Sequence, residues 1–530
     1  MISARQFGFI ILFLLGAYPA SAQVDFTGSN LPVVVIETGP NVIVDDPRIT
    51  ATMGIIRNEE GAFNALTDLF NDYLGYVSIE YRGATSQEFQ KKSYGFETQD
   101  HQGENRNVSL MGLPVENDWV LYAPYSDKSL IRNILSYQLF GEMGHYSPRT
   151  RLCELVVNGD YRGVYVLIEK IKRDSNRLDI ATLNPDETAG EDVTGGYILK
   201  IDKLSGDPGP VWNTSEGSIS FQYEYPEYDD IVDEQKAYIR GFLDEFESSL
   251  TAQNFTDTAL GYRHFLDAGS VVDMFIINEM SRNVDGYFLS TFLYKKADRN
   301  GGKLYMGPVW DFNLSFGNPD YREAYRTDGF QIRQNPAIWW WDKLLQDPQL
   351  ITEIRSRWTE LREDKFSDTR ILSIVDSLTT LLAEAQERNF TRWPILEYTV
   401  WPNYYTGTSY QDEIDYLKSW TLERLDWLDQ QLADWTGQAP LKPVLPIAIY
   451  PNPFHTSLTC QFALKQSSRV SLILYDLHGR EIEKILDNRL HTPGEHRMEW
   501  SAPELPAAIY VLVLRLNGQI VSSDKVIKLK

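Results

Sequence analysis

One change of hydrophobic period constrains this 530-residue chain more than any other feature. In the first half, β-branched runs such as "LPVVVIETG" and "YVSIEYRGATSQEFQKKSYGFETQD" are broken by Gly, Pro and Asp, and Val77, Ile79 and Tyr81 alternate. That is strand patterning. From about residue 229, "DEQKAYIRGFLDEFESSL" and "AGSVVDMFIINEMSRN" space their apolar residues by three and four. "ITEIRSRWTELREDKF", "TRILSIVDSLTTLLAEAQERNF" and "YQDEIDYLKSWTLERLDWLDQQLADW" repeat that spacing. Strands first and helices second predict an α+β domain. Within it the spacing predicts a helix over 128–144, closed by Gly144. Hairpins are expected at Asn158-Gly159-Asp160 and across 298–302, and a strand at "GGYILKID".

The two ends read differently. "ARQFGFIILFLLGAYPASAQV" has a basic Arg5, an apolar run over 7–17 and small residues Ala20-Ser21-Ala22, the layout of a cleaved export signal over 1–22. The mature large domain is then 23–436. Proline-rich "GQAPLKPVLP" (437–446) is a linker, and the short alternating runs over 447–530 predict a small β-sandwich. No later stretch approaches the roughly 20 apolar residues of a transmembrane helix. A formal charge of −24 argues against nucleic acid as a partner. The two cysteines, Cys153 and Cys460, fall in separate expected domains, which favours buried free thiols over a bridge and excludes a cysteine metal site.

Three stretches carry chemistry. Arg82-Gly83-Ala84-Thr85-Ser86 follows a strand and precedes Lys91-Lys92. Small residues let backbone approach a ligand, Arg and Lys bind phosphate, and strand alternation turns only one of the two lysines inward. Taken alone, a solvated hairpin explains these residues better. Glu169 ends the apolar run 164–168, where a carboxylate serves a ligand or merely a strand end. Asp285 lies between a helix and a strand, and Asp311 follows 26 residues later, after the hairpin, in "GPVWDFNLSFGN". Singly, each aspartate reads as a turn or cap residue. Together, and with a lysine-bearing strand, one carboxylate orients a hydroxyl and the other holds Mg²⁺, as phosphoryl transfer requires.

Residues of about 31–430 resemble the CotH family of secreted atypical protein kinases. The resemblance rests on "YRGATSQEFQKKSYGFE", "LMGLPVENDWVLYAPYSDKSLIRNILSYQLFGEMG", "VNGDYRGVYVLIEKIKR", "GGYILKID", "NVDGYFLSTFLYKK" and "GPVWDFNLSFGN". It implies a distant protein-kinase-like fold that uses ATP and Mg²⁺ to phosphorylate Ser or Thr of a protein substrate. Lys92 (with Lys91 as runner-up) is then the phosphate-pairing lysine, Arg82 lies near the phosphates and Glu169 at the nucleotide pocket. Asp285 is the catalytic-loop aspartate and Asp311 a metal ligand. The family commonly has Asn where this chain has Ser290, and a second Asp where it has Asn313; both changes weaken the expected metal site. The tail resembles a type A sorting domain of the type IX secretion system, through Tyr450-Pro451-Asn452-Pro453-Phe454, residues 474–480, Ile509-Tyr510 and the terminal lysines. That implies export through the periplasm and outer membrane to the cell surface or medium, with the secretion machinery as partner.

Two other functions compete with the kinase. Ser290, Asn313 and the export route favour a catalytically weak surface protein that binds or assembles. The aromatic runs "NPAIWWWDK" and "RWPILEYTVWPNYYTG" allow a glycan-active protein, although rings packed between helices explain them better.

Overall fold

The computed structural model describes residues 23–529 apart from 60, 84, 204–210, 216–218, 336, 438–447, 451, 453, 465–466, 477–479 and 493. The export signal, nearly all of the linker, Ala84, and the sorting-motif residues Pro451, Pro453, 477–479 and Lys530 lie outside the described residues.

The alternating first half closes on itself. β1 (Val33–Glu37), β2 (Ile49–Ile56), β3 (Tyr73–Arg82), β4 (Ser93–Gln99), β5 (Asp118–Tyr122), β6 (Thr150–Val157) and β7 (Asp160–Glu169) form a barrel in the order β1-β2-β3-β4-β5-β7-β6. Every pairing is antiparallel except the closing one, where β1 runs parallel to β6 with Val33 opposite Glu154. The β6–β7 hairpin turns on Asn158 and Gly159 at φ 51° and 73°, the left-handed pair that a two-residue hairpin demands. Strand alternation gives the barrel two apolar faces. Val34, Met53, Val77, Phe96, Trp119 and Leu167 fill the interior. On the other face of the β6–β7 hairpin, Leu152, Val164, Val166 and Ile168 join the core of the helical half.

α1 (Arg132–Glu142) links β5 to β6. It begins four residues later than its spacing predicts, because Asp127 caps it: Oδ2 accepts the Arg132 N–H (2.9 Å) and Oδ1 the Ser129 hydroxyl (2.6 Å). A second sheet follows, with β8 (Tyr197–Ile201), β9 (Ser220–Tyr225), β10 (Thr291–Lys295) and β11 (Leu304–Met306) in the antiparallel order β9-β8-β10-β11. The helices are α2 (Asp233–Thr251), α3 (Ala268–Ser281), α4 (Trp340–Leu344), α5 (Pro348–Glu363), α6 (Asp368–Leu381), α7 (Ala385–Arg392) and α8 (Tyr410–Ala433). The stretch read as one helix over 369–390 is broken after Leu381 into α6 and α7. Asp267, Asp347, Ser367 and Ser409 cap α3, α5, α6 and α8 by accepting first-turn N–H groups. α3 is apolar on nearly every side and buried accordingly.

α7 binds the barrel to the helical half at close range. Gly163 (φ 95°) lets α7 come so close that a β-carbon there would stand 2.5 Å from Asn389 Oδ1. That oxygen accepts the Val164 N–H (3.1 Å) and the Lys91 ammonium (2.8 Å), and Lys91 also donates to the Val164 carbonyl (2.5 Å). Within the helical half, the fully buried pair Glu279–Arg424 (3.1 Å) is a hub. The Glu279 carboxylate also accepts from the Tyr287 hydroxyl and the Gln331 and Ile332 amides, at 2.7–2.8 Å. Arg424 further donates to the carbonyls of Glu279, Thr327 and Gly329. The tryptophan run is part of this interior. Trp340 and Trp341 are buried, and the Trp340 indole donates to Glu247 (2.8 Å), so these two rings offer no face to a sugar.

In the C-terminal module, β12 (Ala448–Tyr450), β13 (Ser457–Leu464) and β16 (Gly494–Ser501) form one sheet in the order β12-β13-β16. β14 (Ser468–Asp476), β15 (Glu481–His491), β17 (Ala508–Leu516) and β18 (Gln519–Lys528) form the other, in the order β15-β14-β17-β18. Phe454, Leu458, Phe462, Leu472, Leu474, Leu512 and Leu514 make one core from both sheets. Cys153 and Cys460 are buried free thiols.

Two consequences are measurable. Burial pulls Lys91 down from 10.5 to about 7, against the opposing pull of Cys153 and Glu154. Between those values the unfolded chain holds more protons than the folded one, so stability rises with pH. From pH 7 to 9 the large domain should gain about 2 kcal/mol relative to Lys91→Met in urea unfolding; a difference independent of pH would contradict the buried, depressed ammonium. Glu279→Gln, which leaves Arg424 charged and unpaired, should cost about 3–5 kcal/mol in the same assay, and a loss below about 1 kcal/mol would remove the pair from its role as hub.

Candidate active site

Asp285 and Asp311 sit on two loops that are tied to each other. α3 ends at Arg282 in the left-handed conformation (φ 49°), and its buried guanidinium donates to Gln331 Oε1 and the Gly329 carbonyl, both at 2.9 Å. Beyond it, Asn335 donates to the carbonyls of Asn283 (3.0 Å) and Gly286 (2.7 Å), and Arg322 to that of Val284 (2.8 Å). The Asp285 N–H donates to Asn283 Oδ1 (3.1 Å). The loop backbone is therefore held from several sides. The Asp285 carboxylate, on a residue only 7% exposed, makes no hydrogen bond among the described residues.

The Asp311 loop is built from the other motifs. Its N–H donates to the Tyr137 hydroxyl of α1 (3.0 Å), and the Tyr137 ring stacks on Trp310. Arg132, paired with Asp127 at 2.6 Å, donates to the Ser315 carbonyl (3.1 Å). The Phe316 N–H donates to the Ser281 carbonyl at the end of α3 (2.6 Å), and the Val284 N–H to the Leu314 carbonyl (3.3 Å), which joins the two loops. Gly317 (φ 73°) admits α8, for a β-carbon there would lie 2.5 Å from the Trp420 ring. Left-handed residues concentrate here: Arg282, Tyr287, Ser290, Asp311 and Phe316 all have φ between 45° and 75°. For a ring as bulky as Tyr287 that conformation is strained, and the Glu279 bond to its hydroxyl holds it in place.

The two aspartates share one electrostatic field. Burial pushes Asp311 up to about 7; Asp285 and Asp202 add to the rise, while Lys203 and Arg82 oppose it. Burial likewise raises Asp285, against Lys203 and Arg322 and with Asp202 adding to the rise. Arg82, at the end of β3, lies with its guanidinium 5.1 Å from the centre of the Trp310 ring. From there a row of paired charges crosses from the barrel to the second sheet: Asp118–Lys170 (3.3 Å) and Lys200–Glu224 (2.9 Å). Burial alone would raise Glu224, but Lys200, Lys170 and Arg82 outweigh it and hold the carboxyl below its ordinary range.

Of the other expected site residues, Lys91, Lys92 and Glu169 have structural partners of their own, whereas Ser290 and Asn313 stand on the two loops. Lys91 is buried between the barrel and α7, with its ammonium 5.0 Å from the centre of the Tyr165 ring. Lys92 donates to the Gln87 carbonyl in the turn after Arg82. Glu169 is fully buried and bound to Arg149, accepting its backbone N–H and Nε at 3.0 Å, with the Tyr146 hydroxyl at 3.3 Å. Ser290 is half-buried on the Asp285 loop, and Asn313 is on the Asp311 loop. The neighbours that sequence reasoning missed are Lys170, Asp202, Lys203 and Glu224. The first three had a signal: Lys170 directly follows Glu169, Asp202 ends the quoted "GGYILKID" stretch and Lys203 follows it.

The donors suit a hard cation. Among the described residues no group of three or more His, Cys, Asp or Glu side chains is arranged to hold a metal. Mg²⁺ does not need one, since one or two carboxylates plus substrate phosphates and water complete its shell. Among the described residues the Asp285 and Asp311 carboxylates accept no hydrogen bond, and the buried Asn313 Oδ1 has no hydrogen-bond partner. An orphaned oxygen two residues along the loop from Asp311 fits Mg²⁺ chemically.

Inner spore coat protein H of Bacillus subtilis (strain 168) is 34% identical over 95 residues, covering 18% of this chain and 24% of that protein's length. Among solved structures, Pseudomonas fluorescens alkylpurine DNA glycosylase AlkC, bound to DNA containing an abasic site analog, covers 36% of this chain and 54% of that one. At 13% identity and a TM-score of 0.14 that likeness carries no weight. Residues 448–529 match the secretion system C-terminal sorting domain, which implies type IX export to the surface or medium. No helix among the described residues is long and apolar enough to cross a membrane. Residues 79–428 match the CotH kinase protein family, and over that span of well more than half its length the chain belongs to this family.

Proposed function

We propose that this chain is an exported phosphotransferase with a distant protein-kinase-like fold, moving the γ-phosphoryl group of ATP to a Ser or Thr hydroxyl. The observation that carries the reading is the convergence of Asp285 and Asp311, two unbonded carboxylates on mutually bonded loops, under the influence of Arg82 and Lys203. In this reading Asp285 orients the acceptor hydroxyl and takes its proton as the new O–P bond forms and the β–γ bridging bond of ATP breaks, ADP leaving. Asp311 and Asn313 hold Mg²⁺, which when bound neutralises phosphate charge, with Ser290 close by on the Asp285 loop. Arg82 and Lys170 take the phosphate role expected of Lys92. Lys170 is already oriented by Asp118, whereas the Lys92 ammonium is tied to the Gln87 turn. Phosphoryl transfer belongs before release from the cell, where ATP is present.

The neutral oxygens of Ser290 and Asn313 favour a second reading, a surface protein that binds nucleotide and transfers phosphate poorly. Labelled-ATP assays on the full mature chain, scoring autophosphorylation and transfer to casein, separate the two. Asp285→Asn should lower transfer by about 10²–10⁴-fold with an unchanged circular dichroism spectrum. Full activity in that variant, or none in the wild type with nucleotide still bound, would reject the kinase reading. Lys170→Ala should raise the KM for ATP about tenfold or more, as loss of a charged phosphate contact does, and Lys92→Ala should not.

A further inference from the structure

The C-terminal module carries two histidines with an unusual relation. His491 ends β15 and His496 lies in β16, strands that belong to different sheets of the module. Their Nδ1 atoms face each other at 3.3 Å, with the rings perpendicular and 4.8 Å apart. The other nitrogen of His496, Nε2, lies 2.8 Å from the Thr492 carbonyl. A carbonyl only accepts, so Nε2 carries the hydrogen and the Nδ1 lone pair of His496 is left pointing at His491. Both residues are half-buried, and Phe462 stacks on His496 at 5.4 Å.

Three features of a histidine metal site coincide here. Zinc–nitrogen bonds of about 2.0–2.1 Å at a tetrahedral angle set two ligand nitrogens about 3.3–3.4 Å apart. A ligating histidine characteristically donates its other N–H to a carbonyl, which fixes the tautomer and turns the ring. The module also has a physical use for such a bond. It is a small two-sheet sandwich whose one cysteine, Cys460, is a buried free thiol, and small domains without a disulfide gain most from a metal staple.

We propose that His491 and His496 form a binding site for a borderline divalent metal such as Zn²⁺, completed by water, which staples the two sheets of the C-terminal module together. Coordination through both Nδ1 atoms needs each Nε2 protonated; His496 already has that tautomer, and His491 reaches it by moving one proton within its ring.

The test uses the full mature chain, stripped with chelator and titrated with Co²⁺ and Zn²⁺. One Co²⁺ per chain should bind with the intense visible absorption of a four-coordinate site, and Zn²⁺ should displace it at micromolar concentration. His491→Ala and His496→Ala should each abolish the band and weaken Zn²⁺ binding at least tenfold, while His455→Ala, in the same module, should retain both. In calorimetry, Zn²⁺ should raise the melting temperature of the module's transition in the wild type and His455→Ala but not in the two other variants. Absence of the band at saturating Co²⁺, or a band unaffected by both substitutions, would overturn the proposal and leave a simple hydrogen bond between the rings. The more conservative His496→Asn keeps a polar side chain at the position; if it folds normally yet still binds like the wild type, the proposal likewise fails.

Discussion

Two carboxylates that repel one another have to be held near one another, and much of the large domain can be understood from that constraint. Asp285 raises the cost of ionising Asp311, and burial, the larger cause, raises it for both. Among the described residues neither side chain is tied down by a hydrogen bond, so their placement is the work of the backbones that carry them. Those backbones are bound by amides, carbonyls and arginines: Asn335 and Arg322 on one loop, Arg132 and Tyr137 on the other, and the Val284–Leu314 bond between them. The left-handed residues along both loops are strain that these bonds sustain.

The supporting charges follow a division of labour. Asp127–Arg132 and Glu279–Arg424 are buried ion pairs whose remaining donors and acceptors are spent on backbone groups of the loops. They fix conformation. Asp118–Lys170 on the barrel side and Lys200–Glu224 on the second sheet act on each other through Lys170 and Glu224, while Arg82 and Lys203 balance the acidic site. A ligand that brings its own negative charge together with a divalent cation matches this distribution of sign. A neutral glycan does not.

Much of this was legible in sequence, and the failures have physical causes. Strand alternation, the Asn158-Gly159 turn, the three-four spacing of α2, α3, α5 and α8 and the strands of the C-terminal module were readable because each depends on neighbours a few residues away. Barrel closure was not, since β1 meets β6 across more than a hundred residues and no local pattern encodes a parallel partner. The start of α1 was misplaced because a capping aspartate five residues upstream, with its arginine, overrode propensity. In the candidate site, the motifs singled out the two aspartates and Arg82, and in the structure Asp285 and Arg82 both act on the charge of Asp311. Lysine roles were harder: Lys91 and Lys92 read as a basic pair on a strand, but one ammonium is buried against a helix and the other caps a turn. Lys170 sits one residue past the glutamate that drew notice.

The most direct test of a shared Mg²⁺–nucleotide site at Asp285 and Asp311 is the thermal unfolding of the full mature chain with ATP and Mg²⁺, together and separately, beside Asp311→Ala. A ligand that binds only the native state raises the melting temperature of the domain that holds it. The account predicts a rise in the large-domain transition that needs both ATP and Mg²⁺ and disappears in the variant. No rise at millimolar ATP and Mg²⁺, or a rise that survives Asp311→Ala, would contradict it.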